Sequence, residues 1–305
     1  MAKTSHTAIL TPAQAGRLRE VLEEDGFEFQ AKPYTLFAAT RGKLSIAVYE
    51  KGPKVLVQGK DTEEFIRFTL EPRVLGEAKL GYEELHNPEM FAPHIGVDES
   101  GKGDFFGPLV ISGVYTDGAI TRQLMDAGIQ DSKAIKSDAR IRALAAVIKE
   151  TPGIAWEVVC VTPRRYNELY AKFANLNRLL AWGHAKIIEV MLEKRPACPR
   201  ALSDQFANPR ELERALQERG RAIVLEQRTK AESDIAVAAA SILARERFID
   251  WLRDTGRELG VKLPRGASRE VQDLTTHLRR ERGEDFLRDV GKTHFRFAKD
   301  SSATE

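Results

Sequence analysis

Asp98 and Glu99 are the residues of this 305-residue chain best suited to chemistry by type and position. They follow the apolar run Ile95-Gly96-Val97 and precede the glycine-rich turn Ser100-Gly101-Lys102-Gly103. Charges at the end of a buried strand are costly unless paired or bound to a metal. Two readings of the pair stand at this point, a functional carboxylate pair or a strand-end cap. Asp204 ends a later short strand-like run, and Glu232 opens a helix just after a strand and a turn. Ligands of open α/β sheets sit off strand ends where the topology changes. Carboxylates gathered there make a hard-oxygen site, which suits Mg²⁺ or Mn²⁺ rather than Zn²⁺. The other acidic pairs, Glu23-Glu24, Glu63-Glu64 and Glu83-Glu84, read as solvated helix or linker positions. Neighbours on a regular strand face opposite ways. For Asp98 and Glu99 to share a site, the strand is therefore expected to end or bulge at that point.

Around these acids the signals are weaker. Gly101-Lys102-Gly103 reads either as a flexible turn or as backbone that approaches a sugar-phosphate chain closely. It is not a P-loop, because the required spacing to a Gly-Lys-Ser/Thr ending is absent. His184 shares an apolar helical face with Ile187 and Ile188 and reads as structural rather than as a ligand. His294 lies beside Phe295 and Phe297, and either approaches the site or packs. Phe105 and Phe106 either stack on nucleic acid or plug the space beside the site. Trp156 and Trp182 read as core.

The elements that must position these groups fall into two parts. Residues 1–80 read as a small α/β unit. Thr11-Pro12 starts a helix with Leu18, Val21 and Leu22 on one face, stopped by Gly26. Strand-like runs follow at 34–40, 44–49 and 54–58, the first two joined by Arg41-Gly42. Asp61 and Glu64 have the spacing of a capping box. Residues 81–92 read as a linker, with Asn87-Pro88 inside it. Residues 93–305 form the main domain. Strands are expected at 94–97, 109–116, 154–162, 200–203 and 221–226, and helices at 163–173, 176–194 and 232–253. A strand meander followed by alternating strands and helices predicts a mixed sheet flanked by helices.

Composition bounds the partners. With 42% hydrophobic and 30% charged residues the chain can bury a core and stay soluble. No 18-residue apolar span and no signal-like N-terminus is present, so neither a membrane nor secretion is expected. Cys160 and Cys198 form no CxxC pair, and a reducing cytoplasm is the simpler home. The net charge is only +2. Between positions 262 and 299 there are 10 Lys and Arg against 6 Asp and Glu, which reads first as a solvated helical face. Nothing suggests an oligomer, and a monomer is expected.

The run Gly96-Val97-Asp98-Glu99-Ser100-Gly101-Lys102-Gly103-Asp104-Phe105-Phe106-Gly107-Pro108-Leu109 resembles the opening motif of the type 2 ribonucleases H. Its GKG form is similar to that of the ribonuclease HIII branch. Four further segments agree in order. They are Asp131-Ser132-Lys133 followed by Arg140, then Tyr166-Asn167 through Asn175-Leu176-Asn177 to His184, then Ser203-Asp204-Gln205-Phe206, and Thr229-Lys230-Ala231-Glu232-Ser233 running into Ala238-Ala239-Ala240-Ser241-Ile242. Ala134-Ile135-Lys136 departs slightly from the second motif. The resemblance spans residues 94 to about 298.

What it implies is a ribonuclease H-like fold, preceded by a domain resembling half of a TATA-binding protein that binds the hybrid substrate. The catalytic and metal-binding acids are then Asp98, Glu99, Asp204 and Glu232. The fourth acid is Asp in the sister HII enzymes, so Glu232 favours HIII. The implied activity is hydrolysis of the RNA strand of an RNA/DNA hybrid with two Mg²⁺ or Mn²⁺ ions, Asp98 shared between them, leaving 3′-hydroxyl and 5′-phosphate ends. Gly101, Lys102 and Gly103 would read the 2′-hydroxyl, with Ser132, Lys133 and Lys230 as further substrate contacts. Two rivals remain, an HII enzyme incising at single ribonucleotides and a hybrid-binding module without catalysis.

Overall fold

Thr11 begins the first helix with a reciprocal cap. Its Oγ1 accepts from the Gln14 amide at 3.2 Å, and the Gln14 side chain accepts from the Thr11 amide at 2.9 Å. Both satisfy N–H groups that a helix start leaves open. The computed structural model in which this is seen describes residues 4–76, 84, 87–129, 132, 135–206, 208–295 and 297. The chain divides into two units, Met1–Glu89 and Met90–Glu305. No helix among the described residues is long and apolar enough to cross a membrane.

The first unit contains β1 (Ser5–Ile9), α1 (Pro12–Glu24), β2 (Glu28–Gln30), β3 (Thr35–Arg41), β4 (Leu44–Tyr49), β5 (Lys54–Gly59) and α2 (Thr62–Phe65). Its antiparallel sheet has the order β1-β5-β4-β3-β2. Leu18, Val21 and Leu22 of α1 pack with Ile46, Val48, Val55 and Val57 of the sheet. The expected capping box at Asp61 does not form. Asp61 has φ −98° and ψ 19° and makes no side-chain cap, because that backbone does not turn its carboxylate back over the first amides. Thr62 Oγ1 instead donates to the Gly59 carbonyl at 2.9 Å. A π-helical stretch, Ile66–Leu75, follows and contains Pro72.

The short helix α3 (Pro88–Phe91) spans the boundary, and the second unit contains β6 (His94–Ser100), β7 (Leu109–Thr116), α4 (Gly118–Asp126), α5 (Asp138–Glu150), β8 (Ala155–Val161), α6 (Pro163–Phe173) and α7 (Leu176–Lys194). These are followed by β9 (Arg200–Asp204), α8 (Pro209–Ala215), β10 (Val224–Arg228), α9 (Ile235–Leu259) and α10 (Arg269–Val290). Of the expected linker 81–92, residues 81–83, 85 and 86 lie outside the described residues, and Pro88–Phe91 is helical. The strand expected from 221 starts at Val224, because Gly220–Ala222 forms a 3₁₀ turn. The helix expected from 232 starts at Ile235, capped by Asp234.

The sheet order is β10-β9-β6-β7-β8. β6, β7 and β8 form an antiparallel meander, while β9 runs parallel to β6 and β10 parallel to β9. This is the mixed, helix-flanked sheet expected from the sequence. Ile95 and Val97 of β6 pack with Ile187 and Ile188 of α7 on one face. On the other face Val114 packs with Ala239, Ile242 and Leu243 of α9 and with α5. A Cβ on Gly96 would lie 2.3 Å from the Ala236 carbonyl carbon and the Val237 nitrogen. Only glycine allows α9 to lie that close to the central strand. His94 Nε2 fixes the same helix start, 3.0 Å from Asp234 Oδ1.

Candidate active site

Alternation along β6 sends its two acids to opposite faces. Even positions face α9: His94 meets Asp234, Gly96 meets Ala236, and the Asp98 carboxylate accepts a hydrogen bond from Ser241. Odd positions face α7, and Glu99 Oε2 lies 2.9 Å from His184 Nε2. The strand neither ends nor bulges at Glu99, contrary to expectation. Its pairing with β7 runs unbroken to Ser100↔Val110.

The two acids meet in another way. On the other edge of β6, pairing with β9 stops at Val97↔Ser203, and β9 itself ends at Asp204. Past that point the edge of β6 opens into a cavity of about 260 Å³, lined by Asp98, Glu99, Asp204, Gly101, Lys102, Gly103, Ser132, Ser241 and Arg245, among others. Carboxylates from both faces of the strand reach this space around its open edge.

The electrostatics follow from burial and charge. Burial and the neighbouring charge of Glu99 push the Asp98 carboxyl well above the usual carboxylate range, against the hydrogen bonds from Ser241 and the Glu99 amide. Burial alone would do the same to Glu99. The hydrogen bond and charge of His184, with those of Lys102, outweigh it and hold Glu99 below its ordinary value. Lys102 Nζ lies 2.7 Å from Glu99 Oε1. Burial opposes its charge, but Glu99, Asp98 and Asp204 together keep its pKa raised.

The fourth acid is held nearby through the backbone. Glu232 lies on the 3₁₀ turn Ala231–Ser233, and the Ala231 amide donates to Asp204 Oδ1 at 3.3 Å. Glu232 is not among the residues lining the cavity. Lys230 caps the same turn in the left-handed region, exposed and also away from the lining. Ser132 is buried at the cavity wall, its Oγ 2.6 Å from Ser241 Oγ, and its carbonyl accepts from Arg245. Lys133 and Asp131 lie outside the described residues. Among the described residues no three His, Cys, Asp or Glu are drawn together closely enough to hold a metal ion as they stand.

Several contributors escaped the reading of the sequence. His184 is structural in burial, yet it holds a site acid, with Nδ1 2.8 Å from Ser203 Oγ. Arg245 sits one helical turn after Ser241, a spacing that puts both on one face of α9. Lys292 is fully buried, and its Nζ donates to the carbonyls of Asp104 at 2.9 Å and Gly107 at 2.6 Å. It braces the loop that follows Gly103, and burial pushes its pKa down to about 7. Phe105 and Phe106 are buried edge to face, a plug beside the site rather than a stacking surface. His294 stacks on Tyr170 and packs.

The chain is similar to known proteins over almost its whole length. Residues 95–298 match the family described as Ribonuclease HII. A ribonuclease HIII of Protochlamydia amoebophila is 42% identical over 92% of this chain and 91% of its own length. One of Chlamydia abortus is 43% identical over 96% of each. The crystal structure of Bst-RNase HIII in complex with Mn²⁺ superposes with a TM-score of 0.65 at 27% identity, covering 96% of either chain. The mixed sheet is thus of the ribonuclease H-like kind, and the chain belongs to the type 2 ribonuclease H family, in its ribonuclease HIII branch, as an endoribonuclease of that class.

Proposed function

We propose that the chain hydrolyses the RNA strand of RNA/DNA hybrids with divalent ions, Mg²⁺ or Mn²⁺, leaving 3′-hydroxyl and 5′-phosphate ends. The observation that carries this reading is the gathering of Asp98, Glu99 and Asp204 with the Gly101–Gly103 turn around one cavity at the open edge of β6. The donors are hard oxygens, the kind that Mg²⁺ and Mn²⁺ prefer. Burial and the neighbouring charge of Glu99 raise the proton affinity of Asp98, and a bound divalent ion would offset that negative charge. Asp98, Glu99, Asp204 and Glu232 would hold the ions. Two bound ions supply an activated water and charge relief on the leaving oxygen.

The chain's own residues do the rest. Ser241 and the Glu99 amide orient Asp98, and His184 orients Glu99. The Gly101–Gly103 backbone borders the cavity and is the reader of the 2′-hydroxyl, with Lys102, Ser132, Lys133 and Lys230 as further contacts. Residues 1–80 bind the hybrid. Support comes from Phe29, Tyr34 and Leu36, exposed on that unit, and from Arg19 and Lys32 lining a groove with Phe29 and Leu36. Aromatic and basic groups so interleaved suit a nucleic-acid backbone. Cys160 and Cys198 are free thiols, as suits a reducing cytoplasm.

A paired cleavage assay tests the reading, one substrate a continuous hybrid and the other a DNA duplex with one embedded ribonucleotide. Efficient cutting of the first is expected, and preference for the second would instead favour HII-type action. Asp98→Asn is expected to abolish cleavage and keep hybrid affinity. Wild-type turnover in that variant would remove Asp98 from the mechanism.

A further inference from the structure

We propose that Lys102 is a resident cation that holds the acid cluster while no metal is bound, and that filling the metal site releases it to the phosphate backbone of the nucleic acid. The proposal rests on the reading that Asp98 and its neighbours bind divalent ions.

Glu99 has both oxygens committed. Oε2 is held by His184, a fully buried ring on α7 that is itself held at Ser203. Oε1 is held by Lys102 Nζ at 2.7 Å. The two partners differ in freedom. The Glu99 side chain is 4% exposed, whereas that of Lys102 is 45% exposed. Lys102 also stands between two glycines, on a turn closed by the Asp104 amide donating to the Gly101 carbonyl. Its ammonium is attracted by Asp98 and Asp204 as well as by Glu99. It therefore offsets part of the negative charge that a divalent ion would offset.

Arg245, the other cation lining the cavity among the described residues, donates to the Ser132 carbonyl. Lys102 is thus the mobile partner and His184 the fixed one. An ion taking Glu99 Oε1 competes directly with the ammonium. Once displaced, a long flexible stem at the rim of the cavity leaves the ammonium a point charge for a phosphate oxygen. Metal and nucleic acid then reinforce each other, since each relieves what the other must pay.

The test is direct titration of the full-length protein with Mn²⁺, following the free-ion electron paramagnetic resonance signal. It is run with and without a hybrid whose RNA strand is 2′-O-methylated. Without nucleic acid, Lys102→Met is expected to bind Mn²⁺ on the order of tenfold more tightly than wild type, the value of one charge-assisted hydrogen bond. In wild type the hybrid tightens Mn²⁺ binding, and in Lys102→Met that gain is expected to shrink on the order of tenfold. Lys102→Gln should behave the same way. Equal or weaker Mn²⁺ binding by both variants overturns the proposal, as does a hybrid effect as large in them as in wild type. Asp98→Asn separates the two levels of inference. If it binds Mn²⁺ as wild type does, the metal-site reading itself fails. If it loses binding while the Lys102 variants match wild type, only the role of Lys102 fails.

Discussion

Gly101 and Gly103 flank Lys102, yet their surroundings assign them different duties, which two alanine substitutions can separate. Gly101 has φ +88°, and a Cβ there would lie 2.3 Å from the Pro108 carbonyl oxygen and 2.9 Å from the Phe248 ring. The left-handed backbone costs an L residue about 1–2 kcal/mol, and overpacking in a filled space costs about 1–3 kcal/mol. Gly101→Ala is therefore expected to lose roughly 2–5 kcal/mol of stability. At Gly103 nothing lies within 4 Å of the added carbon, and φ is outside the left-handed range. Gly103→Ala should stay within about 0.5 kcal/mol of wild type. The fold has no use for glycine at 103, whereas a ribose lying against that backbone, as proposed, would. Cleavage of a labelled hybrid by Gly103→Ala is expected to fall roughly 10- to 100-fold in kcat/KM, the scale of a displacement near 1 Å at a reacting centre. Urea denaturation and initial cleavage rates on the same preparations are the assay. Wild-type cleavage by Gly103→Ala would refute close approach of the substrate at that turn. A wild-type urea midpoint for Gly101→Ala would refute the packing around Pro108 and Phe248.

His184→Ala strips one partner from the buried Glu99 carboxylate and should cost about 3 kcal/mol of stability, the low end for such a loss because Lys102 remains. Urea melts check this, with His184→Gln expected to recover part of it. Lys292 has a folded pKa of about 7, below its ordinary 10.5. Between those values the unfolded chain binds the extra proton, so the stability Lys292 lends is present at high pH and is lost as pH falls toward 7. The stability difference between wild type and Lys292→Met should change by about 1.4 kcal/mol per pH unit in that window, and a flat difference would contradict it. Removing residues 1–80 should weaken hybrid binding and flatten its salt dependence; unchanged affinity across a salt series would argue against a phosphate-binding role for that unit.

Long periodic segments were legible in the sequence. α7 matches its expected bounds, and Thr11-Pro12 announced the start of α1 by residue type alone. β1 and β2 were not legible. They are sheet-edge strands of five and three residues with alternating or full exposure, too short and too polar to show a period. Asp61 illustrates a different limit. The residues of a capping box were present, but their effect depends on the backbone angles at Asp61, which the motif does not fix. α10 was hidden by its polarity, since few of its positions are buried, and its charge surplus was visible only as a solvated face.

Of the four acids singled out in the sequence, Asp98, Glu99 and Asp204 line one cavity and Glu232 does not; the geometry was illegible, for a reason that β6 makes concrete. Sequence periodicity places Asp98 and Glu99 on opposite faces, and a local search for a shared site then demands a broken strand. The actual solution is non-local. β9 ends one residue past its last pairing with β6, at Asp204, so the strand's edge is bare where the acids stand and both can turn around it. The length of β9, more than one hundred residues downstream, thus decides whether two neighbouring acids on β6 can cooperate. His184 belongs to the same logic. On α7 it looked like one more buried residue among isoleucines, because the acid it serves comes from a strand that no helical pattern can reveal. What joins Asp98, Glu99, Asp204 and His184 is the order β9-β6-β7 in the sheet, with α7 on one face and α9 on the other, and that order is a property of the whole domain.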